Sequence, residues 1–408
     1  MTREVACQLG SRAAGAAVAG AQLQSDTTAP RGPALVGRLT ALIAGAIGPD
    51  ARSLRAPVSM ELARADAAAC AILVYVQTEL AQGELRVTAD VYPMPRNIWD
   101  RSRNPSPGPV AHAFASARID AEVRTFLAPI PLVATAPYRV PLPETEVLAL
   151  SCDDLDQDGA LEISMLSRRN LSVVRIRQGR VDTLRNVPWH QLSPIAPVPW
   201  REPLATLAVS QTGTIDAGIT DRAASVRLDA ALQQRASFPG MPVPVPRGRA
   251  CASRRVGSLT AELSSCAMGD PAPTLRSAPF PFDAFASARI IGADGSERDV
   301  WASRSPTDGT VAIADDRGAK ANLPNVGAQL AVADVDLDGD PDLIVSRNVL
   351  QASRDALAVH SWRRKGTLQQ RFEVDVPDGV AAVTVCPPDS AGPRAIAMAT
   401  TKELWLLR

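Results

Sequence analysis

Short Val/Ile/Leu runs broken by Gly, Pro, Asp and Asn, two matching acidic nonapeptides, and evenly spaced strand-like anchors predict a mostly β chain. The expected architecture is a six- or seven-bladed β-propeller preceded by a small α/β domain. The β character sets in at about Pro129, past which few plausible helices remain. Anchors fall near residues 148, 206, 250, 289, 330 and 382, a spacing close to that of propeller repeats, roughly 40–50 residues. A four-stranded blade cannot bury its own two faces, whereas blades stacked around an axis bury both and leave short edges. The expected organisation is a disordered or signal-like N-terminus over 1–30, a small α/β domain over 31–128, and the propeller over 129–408.

Each element follows from its own pattern. Arg3 and Arg12 precede an Ala/Gly-rich stretch, Ala13 to Ala21, that ends in small residues as a signal-peptidase site does. Apolar residues at 35, 39, 42, 43, 46 and 47 form a helical stripe over Ala34 to Ile47, stopped by Gly48-Pro49. Met60 to Ala69 reads as a second, Ala-rich helix. Cys70 to Leu80 and Glu84 to Tyr92 read as a hairpin turning at Gln82-Gly83. A proline-rich connector, Pro93 to Pro109, leads to a further expected helix over Ala111 to Leu127. Within the β region, Asn186 to Pro203 and Pro239 to Arg247 read as Pro-rich excursions on the faces of the ring. Trp301, Trp362 and Trp405 sit at strand-like positions suited to wedges between blades.

The acidic nonapeptides are Asp154-Leu-Asp156-Gln-Asp158-Gly159-Ala-Leu-Glu162 and Asp334-Val-Asp336-Leu-Asp338-Gly339-Asp-Pro-Asp342. Carboxylates at positions 1, 3, 5 and 9, a main-chain carbonyl at 7 and a Gly at 6 for the sharp turn make an oxygen cage for a hard cation such as Ca²⁺. An EF-hand begins alike but requires a bidentate Glu at position 12 and flanking helices. Position 12 is Met165 in one copy and Val345 in the other, and the flanks are short apolar strand-like runs.

A strand, an acidic loop and a second strand in this order resemble the calcium loop of the FG-GAP/VCBS family, whose repeats build the seven-bladed heads of integrin α chains and many bacterial surface proteins. The resemblance implies Asp154, Asp156, Asp158 and Glu162 as side-chain ligands with the Ala160 carbonyl. It likewise implies Asp334, Asp336, Asp338 and Asp342 with the Asp340 carbonyl, for two Ca²⁺ sites in all. The family's Phe-Gly-Gly-Ala-Pro segment is not present as such. Ser167-Arg-Arg-Asn170 and Ser346-Arg347-Asn348 echo one another after the two loops, where a hairpin turn between a blade's second and third strands is expected. In order of elements alone, the N-terminal α/β unit resembles the small domain that precedes the propeller in TolB-like envelope proteins.

With 43 basic and 43 acidic residues the chain shows no basic footprint, which argues against nucleic-acid or acidic-lipid partners. No stretch reaches the roughly 20 apolar residues of a membrane-spanning helix. Six cysteines without CxxC spacing and only three histidines, His112, His190 and His360, exclude a zinc site. Pairing of Cys251 with Cys266 depends on an oxidising compartment, while Cys152 and Cys386 end apolar strands and read as buried free thiols. No GxSxG, HExxH, P-loop or GxGxxG is present. The expected function is therefore non-enzymatic: a calcium-binding propeller that presents loops to a protein or glycan partner, extracytoplasmic, at a bacterial envelope or outside the cell. Two alternatives share this fold, a hydrolase or lyase with an axial active site and a TolB-like assembly factor. Convergent carboxylates or a His–carboxylate pair in the axial funnel favour the enzyme, and an apolar or Arg-lined mouth favours binding.

Overall fold

The computed structural model describes residues 1–408 except 26–28, 30, 55, 82–83, 96, 105, 120–122, 124–125, 128–131, 157–159, 194, 196, 199–201, 211–212, 292–296, 337, 364–365, 388–393 and 408. The chain divides into two compact units, Met1–Pro129 with Ile291–Glu297, and Ile130–Ile290 with Arg298–Arg408. No described helix is long and apolar enough to cross a membrane.

The N-terminal unit is α/β. In chain order it comprises α1 (Thr2–Leu9), β1 (Ala17–Gly20), β2 (Gln24–Ser25), α2 (Gly32–Ile47), β3 (Arg52–Ser53), α3 (Met60–Asp66), β4 (Ile72–Ala81), β5 (Glu84–Pro93), α4 (Ile98–Arg103) and β6 (Ala111–Arg118). The sheet order is β3-β1-β4-β5-β6, with β2 on β4. β1 runs parallel to both its neighbours, and β4, β5 and β6 form an antiparallel meander. Two segments differ from the sequence expectation here. Within the expected N-terminal segment over 1–30, Thr2–Leu9 is helical and Ala17–Gly20 is a strand, with Val5, Leu9 and Ala16 to Ala19 buried. Val18 packs with Leu35, Leu39 and Ile43 of α2, and Ala17 and Ala19 pack with Ala63 and Ala67 on the opposite face. A strand covered on both sides is buried along its whole length, and at Gly20 the close approach of Val36 and Thr40 leaves no room for a Cβ. The start of the helix expected over Ala111 to Leu127 is not helical: Ala111–Arg118 is β6, which buries Ala113 and Ala115 and exposes His112, Phe114 and Ser116, a period of two hidden among alanines, and part of the remainder lies outside the described residues. The free edge of β6 is covered by the Gln8 side-chain amide, which donates to the Phe114 carbonyl at 3.0 Å and accepts from its N–H at 2.9 Å.

The second unit is a six-bladed β-propeller. It opens with β7 (Tyr138–Pro141), whose partner arrives last in the chain. Blade one takes β8 (Val147–Asp153), β9 (Glu162–Ser167), β10 (Asn170–Arg177) and β11 (Arg180–Pro188). Blade two takes β12 (Ala205–Val209), β13 (Ile215–Ile219), β14 (Ser225–Leu228) and β15 (Gln234–Phe238). Blade three takes β16 (Met241–Val243), β17 (Ala250–Arg255) and β18 (Ser258–Ser264), and isolated bridges from Leu259 to Phe282 and Glu262 to Ser277 stand in for its fourth strand. Blade four takes β19 (Ala284–Ile291), β20 (Glu297–Arg304), β21 (Val311–Asp315) and β22 (Lys320–Leu323). Blade five takes β23 (Val326–Ala333), β24 (Asp342–Arg347), β25 (Ala356–Trp362) and β26 (Leu368–Asp375). Blade six takes β27 (Ala382–Cys386), β28 (Ala395–Ala399), β29 (Glu403–Leu407) and, as its outermost strand, β7.

Two devices close the ring. β29 pairs with β7, Trp405 opposite Arg139. A disulfide joins Cys152 at the end of β8 to Cys386 at the end of β27, Cα to Cα 4.8 Å apart, so these are not the free thiols expected. The distance between them in sequence concealed the pairing. Cys251 and Cys266 form a second disulfide. Pro239 to Arg247 is also misread as an excursion, because it contains β16, the innermost strand of blade three. An innermost strand has one unpaired edge, and an edge tolerates Pro242, which lacks an N–H to donate.

Apolar clusters lie between adjacent blades, and tryptophans fill three of them. Trp189, Trp362 and Trp405 are all at most 2% exposed and sit between blades one and two, four and five, and five and six respectively. Arginines at the ends of second strands stitch neighbouring hairpins: Arg222 donates to the Arg168 carbonyl at 2.6 Å, and Arg254 to the Arg222 carbonyl.

Candidate functional site

Both acidic loops connect the first and second strands of a blade, β8 to β9 and β23 to β24. Innermost strands of an up-and-down ring run in one direction, so the two loops leave on one face. In the second loop Asp334, Asp336 and Asp338 bring carboxylate oxygens within 4.8 Å of one another. Gly339 turns the chain at φ 88°, a conformation open to glycine, and its N–H donates to Asp334 Oδ2 at 3.1 Å. Asp338 and Asp340 N–H groups donate to Asp336 and Asp338 in turn. Asp342 is 1% exposed and stands outside this triad: its Oδ2 accepts from the Val335 N–H at 2.8 Å and its Oδ1 from the Ser361 hydroxyl at 2.6 Å. The Asp340 side chain faces Arg298 at 3.8 Å.

Burial and then the charge of Asp338 push Asp336 well above the usual carboxylate range. Burial pushes Asp342 up to about 8, against the opposing hydrogen bond from Ser361. Converging carboxylate oxygens from Asp334, Asp336 and Asp338 fit a hard divalent cation, and burial disfavours ionisation of Asp336 and Asp342. A pH dependence follows. With folded values above the unfolded ones, these acids contribute stability that is complete below the ordinary carboxylate range and is lost as pH rises toward 8. A bound cation holds them ionised and offsets that loss. The rise in melting temperature on adding CaCl₂ is thus expected to be small at pH 5 and large at pH 8, and scanning calorimetry at the two values checks it.

The first loop gathers Asp154, Asp156 and Glu162 within the same 4.8 Å, but arginines enter it. Arg175 pairs with Glu162 and stands 3.7 Å from Asp156, and Arg185 is also 3.7 Å from Asp156. Glu162 is fully buried and also accepts from the Leu155 N–H at 2.9 Å. A guanidinium therefore stands among the described carboxylates of this loop. Asp158 lies outside the described residues, and Ala160 is half-buried ahead of β9. Local spacing gave no sign of Arg175, which reaches the loop across the sheet.

All six innermost strands line an axial cavity of about 820 Å³. Its wall is mainly small or apolar, with Leu148, Leu207, Phe285, Leu330 and Val383 among the lining residues. Arg247, Arg249 and Arg289 line it beyond β16 and near the end of β19, on the face of the acidic loops. Arg249 pairs with Asp216 at 2.9 Å, and Arg247 and Arg289 both pair with Asp299, at 3.1 and 3.2 Å. A second cavity of about 400 Å³ adjoins Arg247 and Asp299 and is lined by Trp301. Trp301 is half-buried there, unlike the other two tryptophans expected as wedges. The carboxylates of the axial lining are engaged separately: Asp216 with Arg249 and Arg227, Asp283 with Arg304, and Asp153 with the Asp154 N–H at 2.9 Å. The described lining residues include no histidine. His112 pairs with Asp90 across β6 and β5 at 2.7 Å, His190 lies in a helical turn, Trp189–Leu192, and burial in β25 lowers the pKa of His360.

No family model matches the sequence, and no curated protein matches it. Among solved structures it is similar to a streptogramin B lyase (10% identity, TM-score 0.35, 67% of this chain and 97% of that one). It is also similar to the WD40 domain of Toxoplasma gondii coronin (12%, 0.34, 69% and 88%) and to TolB from Acinetobacter baumannii (10%, 0.31, 96% and 94%). The six-bladed arrangement stands on the strand pairing of this chain, and none of its chemistry is read from these likenesses.

Proposed function

We propose that the chain is a non-enzymatic, cation-stabilised propeller that binds a protein or glycan partner carrying acidic groups, in an extracytoplasmic compartment such as a bacterial envelope. The observation that carries the reading is the arginine-lined mouth of the axial cavity, where Arg247, Arg249 and Arg289 are held by Asp216 and Asp299. Guanidiniums fixed in place offer planar paired donors suited to carboxylates. Trp301 beside Arg247 and Asp299 adds an aromatic face. Two disulfides accord with an oxidising compartment. The cation is proposed as Ca²⁺ from the all-oxygen donor set of the second loop.

Arrays of acidic glycans and acidic peptides probed with the full chain test the reading. Retention by the wild type is expected, weakened about tenfold or more in an Arg247→Ser/Arg289→Ser variant, as loss of a hot-spot contact gives. Equal retention by the variant, or turnover of the retained ligand, would overturn it.

A further inference from the structure

We infer that the pocket beside Trp301 is a subsite for a neutral sugar ring, adjoining an acidic sugar residue at the arginine-lined mouth, so that the ligand is an acidic glycan. The inference rests on the binding function proposed above and names its ligand class. The pocket arises where one seam of the propeller is underfilled. Blade three ends at β18, and an irregular segment bridged at Ser277 and Phe282 replaces its fourth strand. Thr274 and Leu275, just ahead of those bridges, lie across a cavity of about 400 Å³ from β20 of blade four, a volume within the roughly 300–1,000 Å³ of small-molecule sites. Indoles plug three other seams, whereas Trp301 is half-buried and lines this one.

Asp299 and Trp301 stand two residues apart on β20 and so share one face of the strand. The Asp299 side chain is 8% exposed and is fixed by two guanidiniums, Arg247 at 3.1 Å and Arg289 at 3.2 Å. Asp316, exposed just past β21, joins the pocket wall, and its N–H donates to the Asp299 carbonyl at 3.0 Å. One guanidinium, that of Arg247, thus stands with two carboxylates among the lining residues, a balance that disfavours an anion. An acidic group has its place at the mouth instead, where Arg249 and Arg289 accompany Arg247. The pocket suits a neutral ligand with hydroxyls for the carboxylates and the guanidinium and an apolar C–H face for the indole. A pyranose ring carries both. Because Arg247 lines both cavities, the two subsites adjoin, and one oligosaccharide can span them.

Glycan arrays presenting uronic and sialic acids alone and with one neutral hexose attached, beside Glu-rich peptides, test this on the full chain, with titration calorimetry on the best-retained pair. The wild type is expected to hold the hexose-extended acid about tenfold more tightly than the acid alone, as one well-packed anchor contributes. Trp301→Ala is expected to lose that gain while still holding the acid alone, and Trp301→Phe to keep most of it. Asp316→Ala is expected to hold the extended acid about fivefold more weakly, as one lost hydrogen bond gives. Circular dichroism checks that each variant folds, and the exposed Asp316 carries the test if Trp301→Ala does not. Three results would overturn the inference and leave the binding function, which the Arg247→Ser/Arg289→Ser variant tests, standing: retention of acidic peptides without the extended saccharides, equal wild-type affinity for the acid with and without its hexose, or a hexose gain unchanged in both Trp301→Ala and Asp316→Ala. No retention of any acidic ligand would overturn both.

Discussion

Replacing Trp405 by alanine is expected to lower the unfolding free energy of the propeller by about 3–5 kcal/mol, the cost of emptying a large aromatic site in a packed core. Trp405 is 1% exposed and fills the seam between blades five and six, among Ala331, Ile344, Leu357 and Ile396. Its indole N–H donates to Glu403 at 2.9 Å. The Arg139 guanidinium lies 3.9 Å from its ring centroid, across the pairing of β29 with β7. The substitution therefore opens a cavity between two blades and removes a cation–π contact from the strand pair that closes the ring. Trp99, 73% exposed on α4, is the control, and its change to alanine is expected to shift stability by under about 0.5 kcal/mol. Urea denaturation followed by tryptophan fluorescence and circular dichroism measures both. Equal midpoints for the two variants would contradict the placement of Trp405 as a wedge.

A Cys152→Ala/Cys386→Ala variant is expected to lose about 2–5 kcal/mol. The bridge joins the innermost strands of the first and last blades and spans 234 residues of sequence, so nearly the whole propeller lies inside the loop that it closes. Without it, the ring is closed by the short pairing of β29 with β7 and by side-chain packing. The bridge between Cys251 and Cys266 spans 15 residues within one blade, and its removal is expected to cost less, because loop-closure entropy grows with loop length. Thermal melts with and without reductant, on the wild type and both double variants, separate the contributions. Insensitivity of the wild type to reductant would contradict the closure role.

How much of this was legible depends on where each signal lies in the chain. The acidic loops were legible because their residues are neighbours, and the strand on either side of each follows from short apolar runs with no helical period. The α2 stripe and the β4–β5 hairpin were legible for the same reason. Ala-rich segments failed: in β1 and β6 alanine occupies buried places without the contrast of size or polarity that reveals a period, and its helix propensity points the wrong way. β16 failed because its prolines look like loop chemistry, although a strand with one edge unpaired accommodates them. Arg175, Ser361 and the Cys152–Cys386 bridge act across strands or across the closure of the ring. Register and ring closure are properties of the folded chain, and no local window contains them.

The divalent cation proposed for Asp334, Asp336 and Asp338 would staple blade five in the folded state. Scanning calorimetry at pH 8, with EDTA and then with rising CaCl₂, checks it. A ligand that binds the folded state alone stabilises it by about 2.7 kcal/mol at one hundred times its dissociation constant. The melting temperature is therefore expected to rise by several degrees with calcium in the wild type and to stay fixed in Asp336→Asn. A wild-type melting temperature indifferent to both EDTA and calcium, or an Asp336→Asn variant that responds as the wild type does, would contradict it.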